Sequence, residues 1–275
     1  MMLAVTACYT ATSLSDKYAV VKAKFSGNEF TFLLCASMSV FLTFSLPFQK
    51  IHYTISLQTA ISIILVVILK LLEFQMSVCV LKYLSAFELK AWLGVTLFTS
   101  YITDVCMGAR LTLSRMGCIV LTVAGLFFIV KSTKECRVDY RKIWLPLFLY
   151  LCSKFLYGLV IRQSRSYISS GLQITIAMVL ISMIVAPRVK LRQLFYRNPY
   201  AACRVMLARI PNTAGMIFEN MIIAVSLTDY SFIQPMILVS LFVIGVIQKE
   251  KRTRLNLAGS VLCMIGIMFF QLCSG

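Results

Sequence analysis

Stretches of about twenty apolar residues, set apart by short basic turns, recur from one end of this chain to the other. A helix needs about 20 residues to cross roughly 30 Å of hydrocarbon, and only structures that satisfy their backbone polar groups internally survive there. Ten such stretches can be read, at about residues 2–21, 30–49, 55–83, 86–108, 114–131, 143–162, 168–187, 199–227, 230–248 and 255–273. Most breaks carry turn or charge signals: Lys22 to Glu29 around Gly27, Lys50 to His52, Lys131 to Lys142, Arg188 to Asn198 between Pro187 and Pro199, and Lys249 to Arg254. Two further turns, Tyr83–Ser85 and Leu227–Tyr230, are short and nearly uncharged, and rest on an internal repeat.

The chain is 60% hydrophobic and 13% charged, with a mean hydropathy of +0.87. A soluble domain is roughly 45–50% apolar, so the composition points to an integral membrane protein. With the ten helical runs, the expected fold is all-α and polytopic, and the expected location is a plasma or bacterial inner membrane. The net charge of +17 would suggest nucleic acid in a soluble protein. Here nearly all the basic residues fall in turns, where they face lipid headgroups and one aqueous phase, so no nucleic-acid partner is expected. The ten cysteines lie mostly in apolar runs, with no CxxC or Cys/His ligand spacing, and read as small packing residues. No metal site is expected. The first apolar run lacks a basic n-region and carries Asp16 and Lys17 where a cleavage site would lie, so no cleavable signal is expected; the same two residues read as the end of the first span.

The repeat is anchored on two carboxylates. Glu73 stands twelve residues before Ser85, and Glu219 stands twelve before Ser231. Each is followed by an apolar span, a short basic turn holding Thr112 or Thr253, and a last span opening on Gly117 or Gly259. Upstream, Tyr9 lies eight residues before Lys17, as Lys154 lies eight before Arg162. Five spans thus map onto five, giving halves at 1–136 and 137–275. An odd number of spans per half forces the halves into opposite orientations, the geometry of alternating access.

These features, a Ser-led fourth span and a last span introduced by a basic, Thr-bearing turn and a glycine, resemble the drug/metabolite transporter superfamily, of the ten-helix EamA type. The family's Gly-Glu pair before the last helix of a half is absent from Gly108-Ala109-Arg110, whereas Glu250 supplies the acid in the second half. Its proline near the start of the fourth helix is matched by Pro235 but replaced by Leu89 in the first half. The resemblance implies a central cavity lined by the third, fourth, eighth and ninth helices with parts of the first and sixth. It also implies cargo among metabolites, amino acids, nucleotide sugars or drugs, and termini inside the cell. The charge bias opposes that last point: turns after odd spans and their flanks hold seventeen Lys and Arg against five after even spans. Short basic loops stay cytoplasmic, which would put both termini outside.

Glu73 lies about 15 Å of helix from the Tyr83 turn, near the bilayer midplane, and Glu219 matches it in the other half. A charge there costs at least about 2.5–3.5 kcal/mol and normally faces the bundle interior or a water-filled cavity. Either acid can bind substrate or carry a coupling proton; a static hydrogen bond or ion pair is the alternative. Lys154, in mid-span, needs an acid for the same reason. Because the resemblance places the first, third, sixth and eighth helices around the cavity, Glu73 or Glu219 is its expected partner. Lys70, one turn before Glu73, offers a local pair instead. Tyr9, Tyr157 and Asn220 can offer ring faces or an amide to a ligand. Asp104 reads as a helix-end residue or a cavity group, and Pro211, followed by Asn212, Thr213 and Gly215, as a helix break that frees backbone groups.

No HExxH, P-loop, GxSxG or nucleophile–base pair occurs, so neither an enzyme nor a cofactor is expected. The expected function is secondary transport of a small polar or zwitterionic metabolite. The expected partners are that small-molecule substrate and the lipid bilayer, with homodimer formation left open. A non-transporting scaffold or partner subunit of the same fold is the alternative.

Overall fold

The structure is a computed structural model that describes residues 1–84, 89, 92–93, 96–108, 112–132, 140–197, 199–247 and 254–272. Long apolar runs have no water to satisfy their backbone, so each closes its own hydrogen bonds as a helix. In chain order these are α1 (Met2–Val21), α2 (Gly27–Ser45), α3 (Leu57–Leu81), α4 (Thr96–Cys106), α5 (Leu113–Ser132), α6 (Tyr140–Ser164) and α7 (Ser170–Val185). The short α8 (Leu191–Arg197) and α9 (Pro199–Leu207) precede α10 (Arg209–Ile223), α11 (Leu227–Ile247) and α12 (Arg254–Leu272). Among the described residues there is no strand beyond a single bridge between Tyr53 and Ile168.

Local chemistry sets several boundaries. Ser26 and Glu29 form a reciprocal capping box at the start of α2, with Ser26 N donating to Glu29 Oε2 at 2.8 Å and Glu29 N to Ser26 Oγ at 3.2 Å. Both α2 and α7 tighten into a single 3-10 turn that contains a proline, Pro47 in one and Pro187 in the other.

Among the described residues, five helical stretches are long and apolar enough to cross a membrane: Gly27–Phe48, Leu57–Leu81, Ile143–Ser164, Ser170–Arg188 and Leu227–Ile244. Apolar side chains such as Phe44, Ile64, Ile68, Val120 and Phe269 face outward, the arrangement a lipid solvent favours. The apolar stretches Leu113–Phe128 and Leu257–Phe270 are shorter. α1 stays outside the five because Thr6, Thr10, Thr12, Ser13, Ser15 and Asp16 dilute its apolar residues.

Several sequence expectations are corrected. Asp16 does not end the first span; α1 continues to Val21 because Asp16 finds a buried partner. The stretch 199–227 is two helices meeting at Ala208, so the break expected at Pro211 lies one turn before it. A proline cannot donate to the carbonyl four residues back, here that of Leu207, so α9 ends there. Pro211 then sits in the first turn of α10, where N–H groups lack intrahelical partners anyway. The turn expected at Leu227–Tyr230 lies at 224–226, because Leu227 already begins α11. The expected fourth span, 86–108, falls partly outside the described residues, as does Ser85.

Packing runs across the middle of the chain. α1 rests on α10, α2 on α7, α3 on α6, α4 on α11 and α5 on α12. Each pair joins a helix from residues 1–132 to one from 140–272, and each is antiparallel. Gln49 just after α2 meets Gly171 at the start of α7, while Cys118 of α5 lies by Gly266 of α12 and Gly125 by Gly259. At Gly125 a Cβ would come within 2.6 Å of the Gly259 carbonyl oxygen and 2.7 Å of the Cys263 nitrogen. Backbone cannot yield as a side chain can, so Gly125→Leu is expected to destabilise the protein by about 1–3 kcal/mol or more, read as a lower melting temperature in detergent.

Candidate functional site

A cavity of about 100 Å³ lies among α1, α2, α3, α6 and α10. Its wall includes Tyr9, Asp16, Lys70, Glu73, Lys154 and Arg209. Lys70 and Glu73 of α3, Lys154 of α6 and Arg209 and Glu219 of α10 are all buried, the placement that apolar surroundings favour for a charge that cannot reach water.

The charges form an alternating chain. Lys70 Nζ lies 2.8 Å from Glu73 Oε2, and Lys154 Nζ lies 3.4 Å from Glu73 Oε1 and 3.3 Å from Glu219 Oε1. The Tyr9 hydroxyl donates to the other oxygen of Glu219. Lys154 thus bridges two carboxylates, one from each half of the chain. Glu219 is 0% exposed and Lys70 1%, depths at which a lone charge would cost several kcal/mol. Lys70 gains a further partner in the Tyr157 ring, 3.7 Å from its ammonium. The Tyr157 hydroxyl donates to Asn220 Oδ1 at 2.8 Å, and the Tyr230 hydroxyl to the Lys154 carbonyl at 3.2 Å. Two cations and two anions leave this centre close to neutral.

The cavity extends from Tyr9 and Lys154 to Asp16, Ser77 and Leu81, towards the turns that follow α1 and α3. At the opposite end Asp104, on the last turn of α4, binds the start of α11. It accepts from Thr228 N and Thr228 Oγ1 at 2.7 Å each, from Ser226 Oγ at 3.2 Å and from Leu227 N at 3.3 Å. Arg162 of α6 closes an ion pair on the same carboxylate. Arg165 Nη1 donates to the Ala224 carbonyl at 3.0 Å beside it. A carboxylate on exposed helix N–H groups acts as a cap supplied in trans. Asp104→Ala is expected to cost about 2–3 kcal/mol, seen as a lower melting temperature, because it removes the cap and leaves Arg162 unpaired.

The structure therefore brings Glu73, Glu219, Lys154, Lys70 and Tyr9 into one network and sets Tyr157 and Asn220 behind it as a supporting pair. Asp104 stands apart, away from the cavity lining, where it ties α4 to α6 and the start of α11. Pro211 is not among the residues lining the cavity and sits in the first turn of α10, between the lining residues Arg209 and Asn212.

Two participants escape the sequence reading. Arg209 Nη2 forms an ion pair with Asp16, and both line the cavity. Arg209 sits ten residues into the stretch 199–227, and the signal that marks Lys154, a charge in mid-span, marks it equally. Tyr230 carries no such signal, since an aromatic in a membrane helix is usually packing. No protein-family model matches the chain, and no curated protein matches it.

Proposed function

We propose that the chain is a secondary transporter carrying a small polar or zwitterionic metabolite by alternating access, with ten membrane-spanning segments in two inverted five-helix halves of the EamA type. One observation carries this reading: Lys70, Glu73 and Lys154 line a cavity, with Glu219 buried behind Lys154, instead of closing on one another with no space beside them. A strut needs no cavity, whereas a cargo needs both the space and the charges.

The cross-half packing supports the inverted arrangement. Glu73 of α3 meets Lys154 of α6, and Glu219 of α10 meets Tyr9 of α1, the positions that the repeat makes equivalent. Antiparallel pairs throughout are what two halves related by an axis in the membrane plane would give. The Asp104 tie at one end supports a state accessible only from the other. That other end carries Lys22, Lys24 and Lys82, so the positive-inside rule assigns it to the cytoplasm.

The test is a thermal-shift screen of the purified protein against a metabolite library, followed by counterflow of each hit in liposomes. A cargo that binds the folded state raises the melting temperature by mass action. A hit that stabilises but never exchanges across the membrane would favour the scaffold alternative. No hit from the library would remove the support for transport.

A further inference from the structure

Arg209 is the least expected group in the cavity wall, and its surroundings are unequal. It is 1% exposed and held in place by its Nε donating to the Val205 carbonyl at 3.1 Å. Its partner Asp16 keeps a side-chain exposure of 24%. Of the two, only Asp16 reaches water, and its departure would uncover the buried Arg209 guanidinium for another carboxylate.

Neighbouring polar groups are poorly served. Asn212, one turn beyond Arg209 on the same wall, gives its amide N–H to the Met38 thioether at 3.1 Å. A thioether is a weak acceptor, and a carboxylate oxygen would serve far better. The Thr213 hydroxyl beside it is buried with no hydrogen-bond partner among the described residues. An Arg and an Asn whose donors outrun their acceptors match an incoming carboxylate.

Distance and charge narrow the cargo further. Tyr9, which holds Glu219, and Asp16, which holds Arg209, are seven residues apart on α1, hence about 10 Å along the axis. Lys70, Lys154 and Arg209 balance Glu73, Glu219 and Asp16. A cargo with net charge would leave one of the six uncompensated, whereas a net-neutral one preserves the balance.

We propose that Arg209 and Asn212 form an anion station for the carboxylate of an elongated, net-neutral cargo whose ammonium, about 10 Å away, reaches the Glu73–Glu219 centre. Asp16 occupies Arg209 while the cavity is empty. This rests on the transporter reading and names the chemical class of its cargo: an ω-amino carboxylate, or a molecule with the same two ends.

The probes are glycine, γ-aminobutyrate, ε-aminocaproate and ω-aminooctanoate, with suberate and octanediamine as controls of similar length but net charge. Binding is read by thermal shift on the full chain in detergent. Affinity is expected to rise at least about tenfold from glycine to ω-aminooctanoate, with both charged controls weaker than the latter. Asp16→Asn removes the internal competitor and is expected to tighten ω-aminooctanoate by about tenfold, an effect that a merely structural aspartate would not produce. The doubly neutral Asp16→Asn/Arg209→Gln protein leaves no stranded charge, so it keeps its fold and should lose the length dependence. Affinity that is flat or falls with length, weaker binding after Asp16→Asn, or length dependence that survives in the double variant would each overturn the assignment. If no ω-amino carboxylate binds while some other metabolite is exchanged by the wild-type protein, this inference fails and the transporter reading stands.

Discussion

Lys154→Met is expected to cost about 3–5 kcal/mol of stability, more than any other single substitution in the cavity wall. The size follows from sharing. Lys154 is 3.4 Å from Glu73 and 3.3 Å from Glu219, so its loss leaves two buried carboxylates facing each other. Lys70 still serves Glu73, but Glu219 keeps only the Tyr9 hydroxyl. Removing the partner of a buried charge is costly chiefly because of what it strands, so most of the penalty should vanish once the stranded acid is neutralised. Lys154→Met combined with Glu219→Gln should therefore be more stable than Lys154→Met alone. Thermal unfolding of the two single variants and the double closes the cycle. Additive losses would mean that Lys154 and Glu219 do not interact, and that the bridge between the halves is absent in solution.

How much of this is legible in the sequence depends on whether the signal is local. The bilayer imposes a length on each helix and pushes charges into turns, so the apolar runs and basic breaks show most helices to within a few residues. The twelve-residue spacing from Glu73 to Ser85 and from Glu219 to Ser231 singles out the two acids without any coordinates. The same spacing makes them look equivalent, and they are not. Lys70 has no counterpart, since the matching position in the second half is Met216, and so Glu73 binds two lysines while Glu219 binds a lysine and a tyrosine. Which side chain meets which is set by helix rotation and packing, and neither leaves a periodic trace. Asp104 shows the limit clearly. Its role as a cap depends on the start of α11, over a hundred residues away in the chain. The Asp16–Arg209 pair is an intermediate case: both charges are visible in the sequence, but their meeting is a product of the α1–α10 contact.

That asymmetry between the two acids yields the sharpest functional expectation. On the proposed transporter function, Glu219→Gln should reduce metabolite exchange to background while costing only about 1 kcal/mol of stability. The amide is nearly isosteric, its oxygen can still accept one hydrogen bond, and Lys154 retains Glu73 as its counter-ion. Glu73→Gln should also stop exchange, but at a greater cost, about 3 kcal/mol or more, because Lys70 and Lys154 would then share Glu219 alone and Lys70 would lose its 2.8 Å partner. Counterflow in liposomes and melting in detergent, measured on the same preparations, separate the two quantities. A Glu219→Gln protein that melts near wild type and still exchanges cargo at the wild-type rate would show that this acid is structural. An inverted order of stability, with Glu219→Gln the weaker fold, would show instead that Lys70 does not depend on Glu73, and the alternating chain of charges would have to be redrawn.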